Sequence, residues 1–163
     1  MIIREPRDDD FAALAAITNH YIATTAIHFA YEPMTEAELR EQARGRFPWL
    51  VADDDVGGVI GYAKAGTWRA RAAYQWTCEL GLYVAPDARG RGIGTQLYSA
   101  LLDACAARGF RSAIAGITLP NPASVALHER LGFASVGVVA EAGFKLGTWH
   151  DVAFFQKRLG SVR

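Results

Sequence analysis

The spacing of apolar residues changes repeatedly between the period of a strand and that of a helix, which predicts an α/β unit. A short strand is predicted at residues 2–3. The acidic residues 8–10 are predicted to form the start of a first helix, whose apolar residues at helical spacing are Phe11, Leu14, Ile17 and Tyr21. The segment 24–34 has no clean period, but Thr35 and Glu38 have the spacing of a capping box, so a second helix is predicted to begin there.

The middle of the chain predicts a hairpin, a loop and a strand-helix-strand unit. Apolar segments at 49–52 and 59–65 flank a turn rich in Asp and Gly, and a basic, aromatic loop over 67–74 follows them. The unit that comes next has a long strand over 75–84, a helix over 93–105 and a strand over 112–119.

The last third of the chain predicts one more helix and two closing strands. Asn121 is a good helix cap, Pro122 suits the first helical position, and Gly132 is typical of a left-handed helix end. The strands are predicted over 133–145 and 148–159, with a turn at 146–147.

The composition is typical of folded proteins and argues against several classes of function. Of its 163 residues, 51% are hydrophobic and 21% are charged, and this length favours a single domain over 1–163. Seventeen basic residues balance seventeen acidic ones, so no overall field favours a nucleic acid or an anionic membrane as partner. No apolar run is long enough to span a bilayer, and the first residues lack the layout of a signal peptide.

Cysteine and histidine usage argues against a metal site. Cys78 and Cys105 lie in apolar segments, and with four scattered histidines they form neither a disulfide framework nor a zinc-binding spacing. We therefore expect no metal, and a reducing cytoplasm as the location.

The strongest chemical signal is the segment 89–95, Arg-Gly-Arg-Gly-Ile-Gly-Thr, between a predicted strand and a predicted helix. Glycines let the backbone approach a ligand closely, and the amides and dipole of a helix start favour an anion, so a pyrophosphate fits there. A dinucleotide fingerprint would need a third Gly where Thr95 stands, and an NTPase phosphate loop would need Gly-Lys-Ser/Thr. Neither pattern is present; a flexible surface turn is the alternative.

The motif Arg89-x-x-Gly92-x-Gly94 after a strand resembles the acetyl-CoA pyrophosphate loop of the GCN5-related N-acetyltransferases. Further blocks in the same order resemble the phosphinothricin acetyltransferase branch of that superfamily: Asn-His-Tyr-Ile (19–22), Tyr-Gln-Trp-Thr-Cys-Glu (74–79), Leu-Tyr-Val (82–84), Leu-Pro-Asn-Pro-Ala-Ser (119–124), Leu-His-Glu-Arg-Leu-Gly-Phe (127–133), Ala-Gly-Phe-Lys (142–145) and Gly-Thr-Trp-His-Asp-Val (147–152). The resemblance covers nearly the whole chain. It implies an α/β (α+β) fold with a mixed central sheet and helices on both faces, acetyl-CoA as cosubstrate, and a homodimer.

Glu79 is a carboxylate in the middle of a predicted strand whose alternate positions, from Trp76 to Val84 through Cys78, are apolar. One interpretation is that its face of the strand meets water. The other is a general base, because an amine attacks a thioester only when it is unprotonated, and an α-amine is mostly ammonium at neutral pH. The matching Glu of the resembled branch has that role, which favours the second interpretation.

His128 lies on the last predicted helix, one turn after Ser124 on the same face. A lone helical His is commonly a surface residue or a satisfied core residue. Most members of the superfamily carry a Tyr near this place as general acid, and this sequence departs from that pattern, whereas Leu-His-Glu matches the branch. The resemblance therefore implies that His128 binds substrate or assists proton transfer, with a smaller role than Glu79.

The resemblance also implies a cofactor site built from the end of the 75–84 strand, the glycine loop and the start of the last helix. Its expected residues are Leu82, Tyr83, Val84, Arg89, Gly90, Arg91, Gly92, Ile93, Gly94, Thr95, Asn121 and Ser124. Backbone groups at 82–84 are expected to bind the pantetheine arm as if it were an added strand. Asn121 is also explained by capping alone, and both roles are compatible.

Substrate recognition is expected from the loop before Glu79. Arg71 and Tyr74 make it cationic and aromatic, which suits an acceptor that bears a carboxylate, although an ordinary solvated loop has the same composition. Arg69 fits the solvated interpretation. Further candidates for a pocket wall are Phe29, Trp149 and His150, and their alternative is an exposed or core position.

We therefore expect an acetyl-CoA-dependent N-acetyltransferase that acts by direct transfer on the α-amino group of a small amino acid analogue, such as phosphinothricin, methionine sulfoximine or methionine sulfone. Direct transfer is favoured because neither cysteine lies in the place of an activated nucleophile. Two alternatives stay open: acetylation of another small amine, and a silent acetyl-CoA sensor that would need the glycine loop but not Glu79.

Overall fold

The computed structural model describes residues 1–160, and the last three residues of the predicted domain 1–163 lie outside them. The described strands are β1 (Ile2–Arg4), β2 (Trp49–Asp53), β3 (Val59–Thr67), β4 (Thr77–Val84), β5 (Ser112–Thr118), β6 (Ala134–Lys145) and β7 (Thr148–Arg158). The helices are α1 (Phe11–Thr24), α2 (Glu36–Ala43), α3 (Ile93–Ala107) and α4 (Pro122–Arg130).

The strands form one mixed sheet in the order β1-β2-β3-β4-β5-β7-β6. Neighbouring strands are antiparallel except for β4 and β5, which are parallel and are joined through α3. A parallel pair needs such a crossover, because the chain must return to the end of the sheet at which β4 began. The predicted mixed sheet is confirmed.

The alternation of side chains along the strands builds a core on each face of this sheet. On one face, α3 residues such as Leu97 and Leu101 pack with Cys78 and other small strand residues. On the other face, α1 and α2 pack on Trp49, Val51 and Tyr62. Helices on both faces therefore cover the sheet, as the family resemblance implied.

Several predicted helix ends and turns are confirmed in atomic detail. The Thr35 hydroxyl accepts from the Glu38 amide at 3.2 Å, and the Glu38 carboxylate accepts from the Thr35 amide at 2.7 Å. Gly132 has φ +83° after α4, in the left-handed region. Leu146 and Gly147 both have positive φ in the two-residue turn between β6 and β7, the backbone that matches the twist of a hairpin.

The structure corrects two boundaries and shows one irregularity within a strand. Residues Asp8–Asp10 form a 3-10 turn, and α1 begins only at Phe11. Strand β4 begins at Thr77 and not at residue 75, because a 3-10 turn at Ala72–Tyr74 ends with the Gln75 amide bonded to the Ala72 carbonyl. The register of β6 shifts between Val139 and Gly143, so β6 carries a bulge where it passes the site.

Candidate active site

The site begins where the sheet opens between β4 and β5. Only three residue pairs join these strands, the last of them Glu79 with Ile114, and beyond that pair the strands are unpaired. A small space of about 110 Å³ lies in this opening, with walls from both strands and from Tyr98, Asn121 and His128. It shares Gly81 with a large cavity and Leu82 with a groove along the glycine loop, so the three spaces are contiguous.

The glycine loop forms one wall of the groove, which has a volume of about 430 Å³. The predicted cofactor residues that line it are Leu82, Val84, Arg89, Gly90, Gly92, Ile93, Gly94, Thr95, Asn121 and Ser124. Gly90 and Gly92 have φ of +75° and +74°, and Gly92 caps α3. A Cβ on Gly94 would lie 3.3 Å from Leu82 Cδ2, so the missing side chain keeps the groove open. Arg91 is exposed and is not among the residues that line the groove, so its expected contact with the cofactor stays a prediction.

Arg89 is held at the groove by Tyr21, which the sequence placed in the first helix and in the block 19–22 but did not assign to the site. Its Nε and Nη2 donate to the Tyr21 hydroxyl oxygen at 3.0 and 2.6 Å, and the guanidinium lies 5.1 Å from the centre of the Tyr21 ring. A fixed guanidinium beside the amides of a helix start is suited to a phosphate.

The free edge of β4 offers backbone groups of Leu82 and Val84, but not of Tyr83. The Ala85 amide donates to a β3 carbonyl at 2.8 Å, and bonded pairs alternate along an antiparallel ladder. The backbone of Tyr83 therefore pairs with β3, which corrects its expected backbone role, and its side chain lines the large cavity. The Val84 carbonyl is also occupied, because the Tyr21 hydroxyl donates to it at 2.6 Å.

Asn121 and His128 both have local partners on α4. The Asn121 Oδ1 accepts from the Ser124 amide at 3.2 Å and so caps the helix. His128 is buried, and its Nδ1 lies 2.7 Å from the Ser124 carbonyl, which can only accept, so Nδ1 carries the proton. Its Nε2 accepts from the Tyr98 hydroxyl at 3.0 Å. Burial lowers the pKa of His128, which keeps the ring neutral.

The expectation that His128 binds substrate or assists proton transfer stays a prediction, and His128 does line the small space in the opening. Both ring nitrogens are engaged, and the ring packs against Phe133 and Phe155. Through its Nε2, His128 is hydrogen-bonded to the Tyr98 hydroxyl, which also lines the opening between β4 and β5.

The large cavity has a volume of about 950 Å³ and contains Glu79. Strand alternation turns Cys78 and Leu80 into the core and Glu79 to the other face, where it is partly buried. Burial raises the pKa of Glu79, and the nearby cations Lys64 and Arg69 lower it in part. A carboxylate with a raised pKa in a cavity is a stronger base than an exposed one, so this geometry suits proton abstraction.

Phe29 and His28 line the same cavity from the aperiodic segment after α1. Two contacts hold that segment against β6. The Lys145 ammonium donates to the carbonyls of Ile22 and His28 at 2.6 and 2.5 Å, and a Cβ on Gly143 would overlap the Phe29 ring. Burial, together with Lys64 and Lys145, lowers the pKa of His28 to about 4.

Arg71 and Tyr74 are not brought to the cavity, which corrects their expected position. Both are exposed, because the 3-10 turn that follows Arg71 carries the chain away before β4 begins. Arg69, which the sequence assigned to a solvated loop, is the arginine of this loop that lines the cavity.

Sequence reasoning missed Lys64, Arg69, His28 and Tyr98. Lys64 follows an alternating strand pattern, but only the pairing register of β3 with β4 places it beside Glu79. Tyr98 lies within the predicted helix over 93–105, and no local signal separates a hydroxyl that faces a cleft from one that is simply buried. His28 lies in a segment without a period.

Residues 1–160 contain no cluster of three His, Cys, Asp or Glu side chains that could bind a metal ion. In the same residues, no helix is both long enough and apolar enough to cross a bilayer. The two cysteines are free and fully buried, with their Sγ atoms 3.9 Å apart.

A family model described as Acetyltransferase (GNAT) family matches residues 12–133, a range that includes Glu79 and the glycine loop. The chain belongs to this family. The GNAT assignment confirms the family and the class of enzyme that the sequence predicted.

Relatives of this GNAT chain extend the similarity over its length. A phosphinothricin N-acetyltransferase from Streptomyces viridochromogenes is 46% identical over 158 residues, which cover 95% of this chain and 86% of the relative. An L-methionine sulfoximine/L-methionine sulfone acetyltransferase from Pseudomonas aeruginosa is 36% identical over 165 residues, covering 99% and 96%. The crystal structure of a GNAT superfamily phosphinothricin acetyltransferase from Sinorhizobium meliloti in complex with AcCoA has a TM-score of 0.93 and 40% identity, and covers 98% of this chain and 88% of that one. The predicted branch and fold are confirmed.

Proposed function

We propose that this GNAT chain transfers the acetyl group of acetyl-CoA directly to the α-amino group of a small amino acid analogue, such as phosphinothricin, methionine sulfoximine or methionine sulfone. The observation that carries the proposal is the position of Glu79: its carboxylate lies in a cavity that is contiguous, through the opening beside β4, with a groove suited to a pyrophosphate. The names of the relatives support this choice of acceptors.

The residues along the groove fit acetyl-CoA. The amides at the start of α3 and the anchored Arg89 guanidinium supply donors for a pyrophosphate. The backbone groups of Leu82 and the amide of Val84 are the free edge to which an extended pantetheine arm can add. Acetyl-CoA supplies an acyl thioester when it is bound.

The chain's own residues then perform two tasks. Glu79 accepts the proton of the acceptor ammonium, directly or through water, so that a free amine faces the opening. The strand amides along the opening are placed to donate to a carbonyl oxygen that gains negative charge. No step requires a nucleophile from the chain, since Cys78 and Cys105 are buried in the core.

A thiol-release assay tests the function. The protein is mixed with acetyl-CoA and a panel of acceptors that contains the three analogues, their α-amides and simple amines. We expect release of CoA thiol with the analogues, and N-acetylated product by mass spectrometry. Acetyl-CoA binding without thiol release in the presence of any acceptor would instead identify a sensor. Turnover only with simple amines would show that the substrates are simple amines and not amino acid analogues.

We propose that two copies of the chain associate through β6 and β7. β6 is the edge strand of the sheet, and apolar side chains on this pair are about half exposed or more, including Val136 (62%), Val138 (57%) and Trp149 (59%). Sedimentation equilibrium should give the mass of a dimer, and Val138→Lys should shift it to the mass of a monomer. A monomeric wild-type protein would refute this assembly. The cytoplasm is the proposed location, because two unpaired thiols suit a reducing compartment.

A further inference from the structure

Lys64 and Glu79 are diagonal neighbours on one face of the sheet. In the β3–β4 ladder Lys64 pairs with Gly81, and Gly66 pairs with Glu79. Diagonal positions on such a ladder are about 7 to 8 Å apart, within reach of long side chains. The two remaining corners are glycines. An added Cβ on Gly66 would have no atom within 4 Å, so the space above Gly66 is open, whereas the Lys64 stem and the Tyr83 ring cover Gly81.

The Lys64 side chain is held in place from three sides. Its stem crosses Gly81, where an added Cβ would lie 3.5 Å from both Cγ and Cε of Lys64. Its Nζ donates to the Gln42 Oε1 at 3.0 Å and lies 5.0 Å from the centre of a Trp49 ring. The ammonium is therefore fixed at the wall of the large cavity, with donors left over from its one hydrogen bond.

The charge of Lys64 is not neutralised by the chain. Within residues 1–160 neither Lys64 nor Arg69 forms a salt bridge, whereas Arg44, a third cation of the cavity wall, is paired with Glu41 at 3.2 Å. Burial lowers the pKa of Lys64, and Glu79 raises it in part, so the ammonium carries a desolvation cost that an added anion would relieve. The wall thus has two unpaired cations and one carboxylate, which favours an anionic ligand.

We propose that Lys64 is a specificity-determining residue that binds the α-carboxylate of the acceptor. An α-amino acid carries its amine and its carboxylate on one carbon. With that carbon above Gly66, where the space is open, the amine faces Glu79 and the carboxylate faces Lys64. The inference rests on the proposed function. It names the chemical feature that the site selects, which is an amine and a carboxylate on the same carbon.

The experiment compares Lys64→Met, which keeps the length but removes the charge, with Lys64→Arg, which keeps a charge. Arg111→Met is the matched control, because Arg111 is an exposed cation at the start of β5 and does not line the cavity. Each protein is assayed with methionine sulfone, methionine sulfone α-amide and phosphinothricin α-amide. Thermal melts verify that the variants are folded.

We expect Lys64→Met to raise the KM for methionine sulfone by about tenfold to a hundredfold, the range of a lost charge-assisted hydrogen bond, with kcat changed much less. Lys64→Arg should recover part of this loss, and the KM for acetyl-CoA should stay at the wild-type value. For methionine sulfone α-amide, Lys64→Met should leave the KM unchanged. A merely structural role would lower kcat and raise KM for both acceptors alike.

Three results would overturn the inference. The first is an unchanged KM for methionine sulfone in a folded Lys64→Met protein. The second is an equal penalty for the carboxylate and the amide acceptors. The third is a rise in the KM of Lys64→Met for phosphinothricin α-amide, because Lys64 would then bind the phosphinate and not the α-carboxylate.

Calorimetric titration with methionine sulfone in the presence of CoA separates this inference from the proposed function. If the wild-type protein acetylates no analogue, the proposed function fails, and the titration still decides the role of Lys64. Binding to the wild-type protein that weakens at least tenfold in Lys64→Met supports the carboxylate site. Equal binding, or none to the wild-type protein, overturns it.

Discussion

Replacing Glu79 with Gln tests the central chemical assignment, because Gln keeps the shape of the side chain and removes the base. An α-amine with a pKa of about 8 is only about one-tenth free at pH 7. A positioned base contributes about 10² to 10⁴ in rate, or about 3 to 5 kcal/mol of barrier. The raised pKa of Glu79 places it among effective bases. We therefore expect kcat/KM for methionine sulfone to fall by about 10² to 10⁴, most strongly at low pH, where the amine is protonated.

The assay is thiol release between pH 6 and 9, with the acetyl-CoA dissociation constant from calorimetry as the test of an intact groove. Glu129→Gln is the matched control, since Glu129 is exposed on α4 and lines none of the spaces described above. Wild-type kcat/KM for Glu79→Gln across this pH range would refute the reasoning. A parallel loss of acetyl-CoA affinity would also count against it, because the damage would then extend beyond the base.

Stability supplies an independent test of the same pKa shift. Burial raises the pKa of Glu79 in the folded protein above its ordinary value of 4.5, so ionisation of Glu79 weakens the fold as pH rises through that range. Gln carries no charge and no such cost. At pH 7 the free energy of unfolding of Glu79→Gln should therefore be no lower than that of the wild type, and a less stable variant would contradict the assigned burial effect.

Three further predictions follow from the geometry of the site. Gly94→Val should weaken acetyl-CoA binding in calorimetry by about tenfold or more, a cost of about 1.4 kcal/mol, because its side chain would press on Leu82 in the groove; unchanged affinity would remove the loop from the site. The pKa of His28 is lowered to about 4, so the free energy of unfolding of the wild type should decrease as pH drops from 6.5 towards 4. In urea titrations, this decrease should be smaller for His28→Gln. Arg69→Ala should raise the acceptor KM more than Arg71→Ala does, and the reverse ranking in steady-state kinetics would restore the prediction made from the sequence.

Local patterns predicted the parts of this protein that local chemistry determines. The glycines of 89–95 needed only a strand before them and a helix after them, and Asn121 with Pro122 defined a helix start by capping rules alone. The alternation around Glu79 was enough to separate its face from that of Cys78. Each of these inferences depends on residues within about one turn or one strand of each other.

The wall of the large cavity could not be predicted in this way, because its members meet through pairing between distant segments. Lys64 reaches Glu79 only when Gly66 is opposite Glu79, and a register shifted by one residue would turn Lys64 to the other face. His128 shows the converse limit. Its pattern was compatible with chemistry, but the partners that engage both of its nitrogens include Tyr98, thirty positions away in the chain.

The short contact between β4 and β5 also determines how the two halves of the sheet are held together. Strands β1 to β4 lie on one side of the opening and β5 to β7 on the other, with three ladder pairs between them. Amides of Leu82 and Val84, which have no strand partner, should exchange with deuterium faster than those of Gly81 and Tyr83, which pair with β3. A ligand that lies across the opening contacts both halves, so it binds only while they are together. At a ligand concentration of a hundred times its dissociation constant, it raises the free energy of separating the halves by about 2.7 kcal/mol. Cofactor occupancy would thus set whether the two halves of the sheet open separately or as one cooperative unit.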